Sequence, residues 1–411
     1  MKKVLIIAYH FPPIGGSGMQ RTVKFAKYLS SFGWKPVVLS VMKGKSYELI
    51  DSSFLGEVPP DIKVYRTKWF SLFGVVKVPD KKIGWLPFAV LRGLKVLRQE
   101  KIKVIYTTSP VVTVHLIGYL LKKISRLPWV ADFRDPWIGN PGRINIKGVR
   151  KLVEEWLEKK VVYNADKVIA NTDFLKADFE KRYDDAAKDK FVTITNGYAP
   201  EDFVGVAKNN GMSENGKFVI THTGEFYEKI RNPSVFLKAI GILLREKKLN
   251  NEDIIINFVG SGDYTKSEQY KRFIKKYCLE QIIKDIDHVH HRESIQFLYF
   301  SHILLLFNFS NGRLQIPAKT YEYIKVGKPI LALTEEGALS SLLENIDSAT
   351  IVDLSNVDQI KKAVYKLYSD FKGKKLKVDI DERFKNKFNR KLLTKILADV
   401  FDGVISKGGR N

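Results

Sequence analysis

The chain has 411 residues, 45% of them hydrophobic and 28% charged, which is ordinary for a soluble globular protein and long for one core, so two domains are expected. The lone Cys278 excludes an internal disulfide, and no apolar run approaches the length that spans a bilayer. The net charge of +24 admits nucleic acid, an anionic membrane face or acidic substrates as partners, and its distribution must decide among them.

Val4 to Ala8 reads as a buried first strand; its apolar part is too short for a signal peptide and runs into His10-Phe-Pro-Pro13. A glycine-rich loop, Tyr9 to Gly18, leads into a helical pattern from Gln20 to Phe32, which Gly33 ends, and Pro36 to Val41 is the second strand. This βαβ opening lacks the Gly-x-Gly-x-x-Gly spacing of dinucleotide enzymes, while Gly15 and Gly16 let the backbone approach a ligand at the helix start. Basic and aromatic residues interleave from Lys68 through Lys103, around a helix from Phe88 to Glu100 with Val90, Leu91, Leu94 and Leu97 on one face. Such a stretch suits the headgroup layer of an anionic membrane, or equally a core helix with a solvated basic face. Lys103 to Thr108 is a strand and Val111 to Lys123 a helix. The next strand breaks into a loop carrying Asp132, Arg134 and Asp135 between Trp129 and Trp137, as a brace or as a ligand contact. A helix from Leu152 to Val162, a strand from Lys167 to Thr172, a helix capped by Thr172 or Asp173, and Phe191 to Tyr198 complete a first domain, 1–198.

Residues 199–216, polar and glycine-containing, form the best linker candidate. A second domain, 217–383, restarts with a strand from Lys217 to Gly224. Lys229 and Arg231 lie just before the helix Ser234 to Glu246, placed to attract a diphosphate or simply solvated. Ile254 to Gly262 is another strand. His288, His290 and His291 imitate a metal cluster, but alternation along a strand would separate the last two and no cysteine completes a set, so no metal is expected. Ile303 to Phe309 is a buried strand, followed by a polar loop, by Pro317 at a first helical position, and by a helix to Val326 stopped by Gly327 and Pro329. Lys319 falls in its first turn and Glu322 one turn on, where a helix N-terminus meets phosphate and a carboxylate can accept both hydroxyls of a ribose; a lone glutamate is otherwise a solvated one. Val364 to Tyr368 and Phe384 to Phe401 read as terminal helices.

Pro317-Ala-Lys-Thr-Tyr-Glu-Tyr-Ile-Lys-Val-Gly-Lys-Pro-Ile330 resembles the nucleotide-sugar signature of retaining GT-B glycosyltransferases, family 4 (group 1) in particular. Glu322 matches the second glutamate of that family's Glu-x₇-Glu motif, and the first falls on Leu314, with Gln315 beside it. The Pro12-Pro-Ile-Gly-Gly16 loop resembles the family's opening Pro-Pro-x-x-Gly-Gly, one residue shorter. Asp132-Phe-Arg-Asp-Pro-Trp137 resembles a motif of one branch, at a place where a His or Asp touches the sugar. Where the family carries an arginine and a lysine after the glycine at Gly224, this chain has Glu225 and Ile230, with Lys229 and Arg231 flanking the second. The resemblance implies an α/β GT-B fold, two Rossmann-like domains with parallel sheets facing across a cleft, and a final helix within 384–411 crossing back to the first domain. It implies transfer of a sugar from a nucleotide-diphosphate donor to a saccharide or lipid-linked saccharide in surface polysaccharide synthesis, with retention, no cofactor and no metal. Asp135, Arg231 and Lys229 would then serve catalysis, and Gly15, Gly16, Gly224, Gln315, Lys319 and Glu322 the donor. A sugar-nucleotide epimerase of the same fold is the alternative. A nucleic-acid partner is not expected, since no RNA-binding signature, helix-turn-helix pattern or basic tail is present. The expected location is cytoplasmic, with contact at the inner membrane face through 68–103 an option.

Overall fold

The computed structural model describes residues 1–16, 18–42, 54–70, 78–143, 145–206, 216–228, 230–378 and 380–408. The chain divides into two compact units, Met1–Asn196 with Phe388–Asn411, and Gly197–Lys387.

The central strands of the first unit are short β-branched and aromatic runs buried on both faces, as a covered parallel sheet requires, while its two edge strands are partly exposed. Its seven strands are β1 (Lys2–Ile7), β2 (Trp34–Val41), β3 (Lys63–Thr67), β4 (Val104–Thr108), β5 (Trp129–Phe133), β6 (Lys167–Ala170) and β7 (Phe191–Thr193), ordered β3-β2-β1-β4-β5-β6-β7. Every recorded pair is parallel. The order reverses between β1 and β4, and the loops leaving those two strands therefore flank the crevice of the sheet. The helices are α1 (Met19–Leu29), α2 (Leu86–Gln99), α3 (Thr113–Ser125), α4 (Gly148–Asn164) and α5 (Asp173–Arg182). Thr172 caps α5, its side chain accepting from the Leu175 amide at 3.0 Å.

Within the closing segment Phe191 to Tyr198, only Phe191–Thr193 is strand. On α2 the buried residues are Ala89, Gly93, Val96 and Leu97, and Leu91 is 69% exposed. The reason is packing: α2 meets α3 at Gly93, where a Cβ would stand 2.8 Å from Leu121 Cδ1, and that close approach turns Leu91 outward. Residues 71–77 of the basic aromatic stretch lie outside the described residues. Gly118 makes a similar approach from α3 to the sheet, since its Cβ would lie 2.5 Å from Trp129 Nε1 and 2.6 Å from Thr107 Cγ2. Gly118→Ala is expected to lower stability by about 1–3 kcal/mol, read as a lower urea midpoint, and an unchanged midpoint would show that the helix can lift without cost.

The second unit repeats the plan with β8 (Phe218–Thr223), β9 (Ile254–Val259), β10 (Ile283–Ile286), β11 (Ile303–Phe307), β12 (Ile330–Leu333) and β13 (Ala349–Val352), ordered β10-β9-β8-β11-β12-β13. Its helices are α6 (Ser234–Arg245), α7 (Glu268–Lys276), α8 (His291–Phe300), α9 (Lys319–Val326), α10 (Ala338–Leu343), α11 (Val357–Lys372) and α12 (Glu382–Asn386). The reversal falls between β8 and β11. Phe218, Phe236, Phe258, Phe307 and the aliphatic residues around them form its core. His290 and His291 are not on a strand: His290 caps α8 and His291 begins it, after β10 has ended. Pro317 precedes the cap residue Ala318 of α9 and is not its first residue. Of the expected linker, Pro200–Phe203 forms a 3₁₀ turn, and 207–215 lie outside the described residues.

The expected last helix from Phe384 is broken at 387–389, giving α12 and then α13 (Arg390–Gly408), which belongs to the first unit. Leu393, Leu397, Ala398, Phe401 and Val404 enter the same core as Val23, Ala26 and Leu29 of α1. Phe401 meets Trp34 at 5.2 Å and Tyr106 at 5.6 Å, both edge to face. No helix among the described residues is long and apolar enough to cross a membrane.

Candidate active site

In the second unit, the loops that leave β8 and β11 bring the singled-out residues together. Gly224 follows β8 at φ +102°, a bend suited to glycine, and a Cβ there would stand 2.5 Å from Lys319 Nζ. Beyond it, Tyr227 and Arg231 pair their backbones in both directions at 2.9 Å. That tight turn folds Arg231 inward, so that only 8% of it is exposed, and its guanidinium lies 3.9 Å from the Phe309 ring centroid. Burial holds its pKa down to about 10, and its Nε has no hydrogen-bond partner.

Lys319 is the first residue of α9. Its Nζ donates to the Thr223 carbonyl and lies 3.3 Å from His222 Nε2. His222 Nδ1 is 2.8 Å from the Leu305 carbonyl, which can only accept, so Nδ1 carries the proton and Nε2 offers its lone pair to the lysine. Burial and the neighbouring Lys319 keep His222 well below its usual pKa and hence neutral. The Lys319 residue as a whole is half-buried, but its ammonium is enclosed, and burial together with the charge of Arg231 pushes its pKa well below the usual lysine value. Among the described residues no carboxylate forms an ion pair with either cation. Glu225 and Glu322 act on them only from a distance, and two enclosed basic groups without a carboxylate in contact are costly to charge unless an anion joins them. No side chain caps α9; the Thr320 and Tyr321 amides donate to the Pro317 and Ala318 carbonyls, and its positive dipole end lies beside Lys319.

Glu322 stands one turn along α9. Its Oε1 is 2.7 Å from His291 Nε2, and His291 Nδ1 is 3.9 Å from Asp202 Oδ2. A carboxylate in that position presents acceptor oxygens of the kind a sugar diol uses. Gln315 is 7% exposed on the segment between β11 and α9, and Leu314 is half-buried. Lys229 lies outside the described residues. His222 and His291 were missed as parts of this site. A histidine ending a strand directly before the Gly224 turn was the available signal for the first, and His291 had been weighed only for metal.

In the first unit, the loops after β1 and β4 flank the other crevice. His10 Nδ1 lies 2.6 Å from the Gly15 carbonyl, and a Cβ on Gly16, at φ +127°, would stand 2.5 Å from the same nitrogen. The two glycines thus fold tightly over His10, beside a small crevice lined by His10, Gly18, Thr108 and Ser109. Asp132 is wholly buried. It accepts from Arg21 Nε and Nη2, both at 3.0 Å, from Tyr106 Oη at 2.5 Å and from Thr108 Oγ1 at 2.9 Å. Arg21 also donates to the carbonyls of Ile194 and Thr195, which ties α1 to the end of the unit. Burial works against the Arg21 charge, yet Asp132 and Tyr106 hold its pKa above the usual value. Asp132 is therefore a brace. Arg134 pairs with Asp135 at 2.5 Å, and Asp135 remains partly exposed at the mouth of the loop.

Two family models match the chain: Glycosyltransferase Family 4 over residues 16–202, and Glycosyl transferases group 1 over residues 217–370. No curated protein sequence matches it. Among solved structures, sucrose-phosphate synthase from Thermosynechococcus elongatus is similar over 99% of this chain and 100% of that one, at 14% identity and a TM-score of 0.76. Anabaena HepE, crystallised with UDP and glucose, is similar over 98% of this chain and 100% of that one, at 15% identity and 0.69. WaaG, a glycosyltransferase involved in lipopolysaccharide biosynthesis, is similar over 97% of this chain and 100% of that one, at 11% identity and 0.64. One model spans β2 through β7 of the first sheet and the other spans all six strands of the second, and the chain belongs to the group 1 (family 4) glycosyltransferases, enzymes of the GT-B fold.

Proposed function

We propose that this glycosyltransferase takes its sugar from a nucleoside-diphosphate donor, holding the diphosphate with Arg231, Lys319 and the N-terminus of α9, and the ribose with Glu322. The observation that carries this reading is the enclosed pair of basic groups at the strand-order reversal of the second unit, neither in an ion pair, one helical turn from a carboxylate. Anabaena HepE, similar in fold, was solved with UDP and glucose, which supports a nucleotide sugar as the donor class. In the transfer, the bond from the sugar's anomeric carbon to the phosphate oxygen breaks and its electron pair stays on that oxygen. Arg231 and Lys319 neutralise the charge that develops. The acceptor hydroxyl bonds to the anomeric carbon and gives its proton to the departing phosphate. Retention of configuration belongs to the same proposal, as does contact of Asp135 with the transferred sugar, of Gln315 with a sugar hydroxyl, and of the Gly15, Gly16 and Gly224 backbones with the substrates. The acceptor is a saccharide or a lipid-linked saccharide, as in surface glycan assembly, and the enzyme works at the membrane face.

A panel of nucleotide sugars tests the donor. Slow release of nucleoside diphosphate from one of them is expected, and interconversion of the sugars would replace transferase with epimerase. Glu322→Ala is expected to weaken nucleoside-diphosphate binding about tenfold to a hundredfold, the loss of two hydrogen bonds to a charged acceptor, while leaving binding of inorganic diphosphate unchanged. Equal weakening of both ligands would remove the ribose from this assignment.

A further inference from the structure

Helix α4 is inside out. Its buried residues include Glu154 and Glu158, while Val149, Leu152, Val153 and Trp156 are 77, 65, 38 and 57% exposed. Those four stand at i, i+3, i+4 and i+7, one continuous stripe on the side opposite the two glutamates. The inward glutamates fix this rotation. Glu154 accepts from Trp137 Nε1 at 3.1 Å and Arg150 Nε at 2.9 Å, and pairs with Arg143. Glu158 accepts from the Ile138 amide at 3.0 Å and Tyr183 Oη at 2.6 Å, and pairs with Arg182. Rotating the helix to bury the stripe would strand two carboxylates and three arginines, so exposure of the stripe is built into the fold.

Lys147 stands just before the stripe, and Lys159 and Lys160 stand beyond its far end, while Arg150 and Lys151 turn to the glutamate side, where they pair with Glu154 at 2.9 Å and Glu155 at 3.7 Å. Lys160 Nζ lies 5.6 Å from the Trp156 ring centroid, and Lys159 Nζ lies 5.4 Å from that of Tyr163. Lys147, Lys151 and Arg143 also line an adjacent cavity of about 430 Å³, together with Trp137 and Ile146. A second copy of the same face would press these cations against their own kind, so the charge argues for an anionic partner. Aliphatic side chains beside a tryptophan, with lysines around them whose long stems reach outward, match a headgroup layer over acyl chains. The basic stretch around α2 is less suited, because its exposed apolar residues among those described are Phe70, Phe88 and Leu91, and Phe70 and Phe88 already pack on each other edge to face at 5.8 Å. We propose that α4 is an interfacial helix that docks the first unit on an anionic lipid surface, with Val149, Leu152, Val153 and Trp156 entering the headgroup layer and Lys147, Lys159 and Lys160 meeting the lipid phosphates. The docking holds whether or not a sugar is transferred, so its test is separate from any assay of donor turnover.

Co-sedimentation of the full chain with vesicles of phosphatidylglycerol and phosphatidylcholine, against phosphatidylcholine alone, decides the matter. Binding to the anionic vesicles is expected to fall with added salt and to fall about tenfold or more in Leu152→Ser/Trp156→Ser, and to fall likewise in Lys159→Glu/Lys160→Glu. Circular dichroism should be unchanged in both, since these side chains are exposed. Phe88→Ser/Leu91→Ser should bind as the parent does, and the tryptophan emission of the parent, but not of Trp156→Phe, should shift to the blue with vesicles. Failure of the parent to bind anionic vesicles overturns the proposal, and so does undiminished binding by the α4 variants or a loss found only in the α2 variant. A lipid-free dimer that the Leu152→Ser/Trp156→Ser change dissolves would make the stripe an interface between copies, and overturns it as well.

Discussion

Arg231→Ala and Lys319→Ala will each lower kcat/KM for the nucleotide sugar by about 10²–10³, the cost of removing one preorganised donor from a developing anion, or about 2.7–4 kcal/mol. The two losses will not add, because each cation weakens the other in the empty site and removal of one relaxes its neighbour. A second readout separates an electrostatic role from a structural one. Burial and Arg231 push the Lys319 ammonium toward its neutral form, whereas a bound diphosphate favours the charged form. Binding must then take up protons in the window between the depressed free-site pKa and the higher pKa of the liganded site, and affinity must fall as pH rises through that window. Titration calorimetry of nucleoside diphosphate in two buffers of unequal protonation enthalpy measures this uptake. It should vanish in Lys319→Ala and shrink in Arg231→Ala, where the like charge is gone. Binding without proton uptake in the parent would remove Lys319 from the diphosphate.

Asp132→Ala will destabilise the first unit by about 3–5 kcal/mol, because it leaves the Arg21 guanidinium buried without its counter-charge. Tyr106 and Thr108 lose an acceptor in the same change. Asp132→Asn keeps the shape and should cost less. All six tryptophans, from Trp34 to Trp156, lie in the first unit, so tryptophan fluorescence during urea unfolding reports that unit alone. A shift in its transition worth less than about 1 kcal/mol would mean that the arginine finds solvent when its partner leaves.

Much of this architecture was legible where local chemistry and tertiary packing agree. The Ile303–Leu333 segment is the clearest instance, since an apolar strand, a polar loop and a helix closed by Gly327 at φ +79° all follow from short-range rules. Edge strand β10 was not legible. Its Ile283-Lys-Asp-Ile286 is half polar, and only pairing with β9 makes it a strand. The α2 face was misjudged because apolar spacing cannot reveal that Gly93 and Ala89 let a neighbour approach. At the site, Lys319 and Glu322 follow from spacing along one helix. The enclosure of Arg231 depends on the turn that pairs it with Tyr227 and on Phe309, some eighty residues away, and neither is a pattern in the sequence. The inversion of α4 was hidden in the same way, because Glu154 and Glu158 find Trp137, Arg182 and Tyr183 through the fold.

The return of α13 sets the order in which the nascent chain can mature on the ribosome. Gly197–Lys387 is contiguous and can close its own sheet as soon as it has emerged. The opening 196 residues, although made first, leave the groove over α1 greasy and open until Leu393 through Val404 arrive from the far end. Translation that stalls beyond the second sheet would therefore display that groove to chaperones and proteases, and the unit begun before that sheet is completed after it.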